Sequence, residues 1–166
     1  MTIEAVLYGD PVLRAPSMFI NEINGEVREI RDLMVETLES YGTHGAAIAA
    51  NQVGFAIAMF VYWDEAHEPV TVINPNLDVH HDRGKFDYNE GCLSLPGVYA
   101  GVIRQNHVIL TGQDLDGKHM RVEATEFLGR VFQHEYDHLA GKLFIDHLPP
   151  GKKKMAIMKK LGNRHE

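Results

Sequence analysis

A single cysteine, Cys92, stands in 166 residues. No internal disulfide is possible, so a reducing compartment is the default setting. No apolar run approaches the roughly 18 residues of a membrane-spanning helix. Met1-Thr2-Ile3-Glu4 lacks the basic start and apolar stretch of a secretory leader. A cytoplasmic protein without a membrane partner is therefore expected. Repeats, low-complexity stretches and linkers are missing too. What is left has the length and composition of one ordinary globular domain, with 45% hydrophobic and 23% charged residues. One domain over residues 1–166 is expected, acting as a monomer.

The net charge is −7, unevenly spread. Residues 152–166 carry six basic groups and one acidic, so the rest of the chain carries −12. An acidic body excludes a general nucleic-acid binder. The basic tail could still meet an anionic surface.

The hydrophobic pattern predicts a helix over 25–41, with Val27, Ile30, Leu33, Met34, Leu38 and Tyr41 on one face. Gly42 and Gly45 break it. The stretches 56–63 and 69–78 read as strands, and the alanine-rich 46–50 is ambiguous. Asn74-Pro75-Asn76 marks a kink or a strand end. Residues 102–111 and 118–124 form a hairpin around Asp116-Gly117. A second helix starts at Thr125 as N-cap and stops before Gly141. Its stripe of Phe127, Val131, His134 and His138 should face the core. A last helix spans about 149–162, with Met155, Met158 and Leu161 as its packing face. Strands followed by a late buried helix imply an α+β domain.

His134-Glu135-Tyr136-Asp137-His138 is an H-E-x-x-H motif on that second helix. Histidines at i and i+4 share a face, so both imidazoles can reach one metal ion. The intervening glutamate can serve as a base beside it. A hydrolytic site needs a third protein ligand. Two residues compete for that place. Cys92, in Glu90-Gly91-Cys92-Leu93-Ser94, would supply a thiolate, with Gly91 allowing close backbone approach. By itself it reads as a small buried hydrophobe, the more common fate of a free cysteine, and the two-histidine motif is what favours a ligand. The alternative is the downstream His147, as in zinc endopeptidases.

Three blocks together resemble peptide deformylases. Gly45-Ala46-Ala47-Ile48-Ala49-Ala50-Asn51-Gln52 is similar to the family's G-x-G-φ-A-A-x-Q. Glu90-Gly91-Cys92-Leu93-Ser94 and Gln133-His134-Glu135-Tyr136-Asp137-His138 match E-G-C-L-S and Q-H-E-x-D-H in full. With Leu7 to Arg14 as an entry segment, the resemblance covers about 150 residues. It implies antiparallel strands packed around a central helix that carries the H-E-x-x-H motif, with further helices at each end.

The resemblance also implies roles. Cys92, His134 and His138 would hold one divalent metal ion, ferrous iron first, with nickel, cobalt or zinc as alternatives. Glu135 would move the proton. Gln52 and the Leu93 backbone N–H would stabilise the oxyanion. Gly45, Ala46, Ala47 and Ile48 would line the cleft and pair with the peptide backbone, beside Gly91. Phe127 and Val131 would wall the methionine pocket, or else belong to the core. The implied substrate is the N-formylmethionyl end of a nascent polypeptide. The basic C-terminal helix would then be either a solvated face or a ribosome-docking element.

Two departures stand out. Ala47 replaces the family's second glycine, which bears on substrate pairing at that position. Val98-Tyr99 follow the cysteine block, where many bacterial members carry a basic residue. The third possibility, a silent binding protein on the same fold, would require loss of Glu135 or Gln52, and both are present.

Overall fold

A computed structural model describes residues 3–163. The expectation of no leader at Met1-Thr2 and the last three residues of the basic tail lie outside that range. The first helix, α1, covers Gly25–Ser40, and the Asn24 side chain caps it by accepting from the Val27 N–H at 3.1 Å. Five strands follow, all antiparallel and in sequence order across the sheet: β1 (Ala47–Ala49), β2 (Met59–Trp63), β3 (Pro69–Gly91), β4 (Tyr99–Gln113) and β5 (His119–Thr125). Helix α2 covers Glu126–Leu139, and α3 covers Lys152–Gly162. This is the expected α+β arrangement.

The sheet is a partition between two cores. Alternation along β2 sends Phe60 and Tyr62 to one face and Met59 and Val61 to the other. Phe60, Tyr62, Ala47 and Ala49 pack against Val131 and Phe132 of α2, with the Tyr62 and Phe132 rings edge-to-face at 4.9 Å. Met59, Val61 and Ile48 pack against Ile30, Met34 and Leu38 of α1. A third cluster joins Leu95, Val98, Phe144 and Leu161 around the start of β4 and the C-terminal segment.

The β3–β4 hairpin is far longer than the sequence pattern suggests. Its polar stretch from His80 to Asn89 lacks clean alternation, yet it pairs with β4 through to Gly91↔Tyr99. Asn74-Pro75-Asn76 is a kink rather than an end, with a register shift between Ile73 and Asn76. The Asn74 side chain grips the Ile20 backbone there, bonding its N–H and its C=O at 2.8 Å each.

The N-terminus of α2 differs from expectation, while its C-terminus ends at Gly141 as expected. Thr125 makes no side-chain cap; instead the Glu126 N–H donates to Asn106 Oδ1 at 3.0 Å. The α2 C-terminus is a Schellman turn, with Gly141 N–H on His138 O and Lys142 N–H on Asp137 O. Gly141 has φ +71°, and a Cβ there would sit 2.4 Å from the Arg14 carbonyl oxygen. Glycine is required on both counts.

Helix α3 begins only at Lys152, because the Gly151 backbone is non-helical at φ +157° and ψ −173°, and each proline disfavours a helical conformation in the residue before it. Its packing face is Lys154, Ile157 and Leu161. Met155 and Met158 are exposed, so only Leu161 of the expected apolar face packs as anticipated.

Candidate active site and metal centre

Helical periodicity sets His134 and His138 side by side on α2, with their Nε2 atoms 3.2 Å apart. The end of β3 delivers the third group. Cys92 follows Gly91 directly, and its Sγ lies 3.4 Å from His138 Nε2. All three ligand atoms fall within 4.8 Å of one another. Metal–nitrogen bonds of about 2.0–2.1 Å and a metal–sulfur bond of about 2.3 Å place tetrahedral neighbours roughly 3.3–3.6 Å apart, so the donor set fits one ion. His147, the competing third ligand, is elsewhere: its Nε2 is 2.7 Å from Asp137 Oδ2.

The histidines are held in place by buried charges. His134 Nδ1 is 2.7 Å from Glu90 Oε1, which leaves Nε2 facing the other ligands. Arg104 donates to the same carboxylate through Nε at 2.7 Å and Nη2 at 2.9 Å, and Arg130 Nη1 donates to it as well. Arg104 Nη1 also reaches Asp137 Oδ2 at 2.9 Å. Burial would raise the Glu90 pKa, but the bonds from Arg104 and His134 hold it well below the usual carboxylate range. For His134, burial opposes charge, yet bonding to Cys92 and Glu90 raises its pKa. Burial, then the charge of His134, depresses His138, which favours a neutral ring with a free lone pair.

Glu135 is 3% exposed, and its Oε2 has no partner. Burial raises its pKa to about 7. A carboxyl group poised near neutrality can take and return a proton.

Gln52 sits in a short 3₁₀ turn after β1 and is aimed by its own backbone: Oε1 accepts the Ala49 N–H at 3.0 Å. Its Nε2 therefore points to Ser94 Oγ at 3.1 Å and Cys92 Sγ at 3.5 Å. These groups open into a cleft of about 480 Å³.

Comparison with known proteins gives this geometry a family. Residues 3–154 match the polypeptide deformylase family model. The chain belongs to the peptide deformylase family. It is 38% identical over 156 residues to a peptide deformylase of Endomicrobium trichonymphae, covering 93% of this chain and 90% of that one. It is 41% identical over 160 residues to peptide deformylase 2 of Vibrio vulnificus, covering 95% and 92%. The crystal structure of a peptide deformylase from Synechococcus elongatus, in complex with actinonin, superposes with a TM-score of 0.87 at 34% identity, covering 96% of this chain and 85% of that one.

As a deformylase cleft, the cavity gathers most of the expected residues. Ala46, Ala47, Gln52, Gly91, Cys92, Leu93, Phe127, Val131, His134 and Glu135 line it. Phe127, expected to face the core with the rest of its stripe, is 54% exposed and forms part of the cleft wall. Val131 is buried and belongs to both the wall and the core. Ile48 points away, into the α1 core, and Gly45 packs where a Cβ would meet Leu38 Cδ1 at 2.8 Å. Gly91 has a different reason to be glycine than ligand approach: the Tyr99 ring covers it, 2.6 Å from where a Cβ would be.

The sequence reading missed the deformylase site's second layer. Arg130, Tyr88 and Tyr99 line the cleft, and Glu90, Arg104 and Asp137 anchor its ligands. Arg130 had one usable signal. It lies three residues after Phe127 and four before His134, on the same stripe, where an arginine ordinarily reads as surface.

Proposed function

We propose that this protein removes the formyl group from the N-terminal formylmethionine of newly made polypeptides, releasing formate. The observation that carries this is the convergence of Cys92, His134 and His138 beside the unpartnered carboxylate oxygen of Glu135.

Cys92, His134 and His138 would hold one divalent ion, with ferrous iron the first choice and nickel, cobalt or zinc compatible with one thiolate and two imidazoles. The ion would supply Lewis acidity, polarising the formyl carbonyl and acidifying water. Glu135 takes the proton of the attacking water and returns it to the departing amine. The Gln52 side-chain N–H, fixed by Ala49, and the Leu93 backbone N–H stabilise the negative charge that develops on the formyl oxygen.

The substrate backbone adds to the free edge of β1. Ala47–Ala49 pair with β2 on one side only, and Ala46 and Ala47 lie on the cleft. Ala47 does not occlude that edge, since its Cβ turns to the α2 core. Gly45 and Ile48 shape this edge by anchoring it to α1. The methionine side chain enters the wall formed by Tyr88, Phe127 and Val131.

The whole chain serves as one catalytic domain, active as a monomer. No helix among the described residues is long and apolar enough to cross a membrane. The cytoplasm, where nascent chains emerge, is the working compartment. The exposed Lys152, Lys153, Lys159 and Lys160 of α3 provide a contact to ribosomal RNA phosphates.

Protein purified without oxygen should release formate from a short formyl-Met peptide, with one bound metal per chain in the same sample. Metal-loaded protein that releases no formate would overturn the proposal.

A further inference from the structure

The turn that carries Gln52 is tied to the helix that carries His138 by one side chain. Asn51, the residue before Gln52, is fully buried, and its Nδ2 donates to the His138 carbonyl at 2.9 Å. Among the described residues no other hydrogen bond links the segment 47–53 directly to α2.

Satisfying the carbonyl does not explain this bond. The His138 C=O already accepts the Gly141 N–H at 3.0 Å in the turn that ends α2. The amide is also a poor choice for stability, because its Oδ1 is buried without a partner. An amide matched on one side only costs stability, and a leucine of similar size would avoid that cost. What Asn51 supplies is a fixed distance between two parts of the site.

That distance closes a circuit around Cys92. Gln52 Nε2 is 3.5 Å from Cys92 Sγ, and His138 Nε2 is 3.4 Å from the same sulfur. The Asn51 bond completes the circuit, from the main chain of His138 back to the neighbour of Gln52. The Gln52 amide is oriented by the Ala49 N–H on Oε1 at 3.0 Å and by Ser94 Oγ at 3.1 Å from Nε2. Those two bonds set where the amide points, and Asn51 sets where its turn stands against α2. A donor to a developing oxyanion works only at hydrogen-bond distance, so a shift on the order of 1 Å is costly.

We propose that Asn51 is a positioning residue, which holds the Gln52 amide against the His134–His138 pair so that its N–H meets the charge formed in the transition state. This rests on the deformylase reading above. The pattern G-x-G-φ-A-A-x-Q leaves position 51 open, so the resemblance assigns it no role.

The test is a double-mutant cycle on a short formyl-Met peptide, with rates expressed per bound metal. It uses the native protein, Asn51→Leu, Gln52→Ala and the double variant. Asn51→Leu should keep one metal per chain. Its kcat should fall by about tenfold or more, while KM stays within about threefold. In the Gln52→Ala background the leucine substitution should cost less than about threefold, because the amide that Asn51 positions is already gone. A purely structural role would act alike in both backgrounds. Should the leucine variant not fold, Asn51→Ala removes the donor without the bulk, and the same pattern is expected. A native kcat in the folded variant overturns this proposal alone, and so does an equal loss in the two backgrounds. Metal-loaded native protein that releases no formate overturns the deformylase reading itself.

Discussion

His134 Nδ1 lies 2.7 Å from Glu90 Oε1, so a histidine of the proposed metal site is oriented by a carboxylate that two buried arginines also hold. Removing the carboxylate strands those arginines. Glu90→Gln should lower stability by about 3–5 kcal/mol, as expected for breaking a buried ion pair from one side. Metal affinity should fall roughly 10–100-fold as His134 loses its support. The pH dependence has a definite sign. Glu90 is held below its ordinary value of 4.5, so its contribution is complete above that pH and is lost as pH falls toward the folded value. Thermal melts of the variant from pH 3 to pH 7 should show a flatter acid limb than the native protein. Equal acid limbs would refute the assignment.

His134→Ala and His138→Ala should each abolish stoichiometric metal binding together with formate release. Cys92→Ser should keep weaker binding, chiefly for harder metals, because a hydroxyl is a poorer ligand than a thiolate. Elemental analysis of the purified variants decides this. Full metal content and turnover in both histidine variants would remove the basis of the site.

Glu135→Gln keeps the shape of the side chain and removes the base. Metal content should persist while turnover drops by about 10²–10⁴-fold. A variant turning over at the native rate would place the proton transfer on another group.

Formyl-Met peptides should be cleaved far better than formyl-Asp or formyl-Lys peptides, whose charges would be desolvated in the aromatic pocket. Acetyl-Met peptides should be poor substrates, because the extra methyl must fit between the ligand cluster and Gln52. Equal rates on formyl and acetyl peptides would identify a general amidase instead.

Charge reversal at Lys152, Lys153 and Lys159 should sharply reduce binding to ribosomes at low salt and leave short-peptide activity nearly unchanged. Deleting the helix is the poorer experiment. Leu161 is buried in the third core cluster, and Lys160 Nζ bonds the Gly97 carbonyl at 2.7 Å beside the cleft. Cosedimentation across a salt series reads the effect, since phosphate contacts weaken steeply as salt rises. Undiminished binding of the reversed protein would leave α3 a solvated face.

The sequence by itself determined what depends on local periodicity. The i, i+4 spacing put His134 and His138 on one side of α2, and Gly141 ended that helix. The alternation of apolar residues located α1, β2 and the β4–β5 hairpin. The three motif blocks named the metal-ligand candidates and Glu135. Tertiary structure decided what depends on distant chain segments meeting. Cys92 and not His147 stands beside His138, because the β3–β4 hairpin carries a residue 46 positions away to it, while His147 lies against Asp137. The polar half of that hairpin shows no strand period, since its pairing is set by register with β4. The same holds for Arg104 and Arg130. An arginine reads as surface in any local window, because burying its charge is costly. It becomes tolerable only where folding brings up a carboxylate, and Glu90 reaches these two from 14 and 40 residues away.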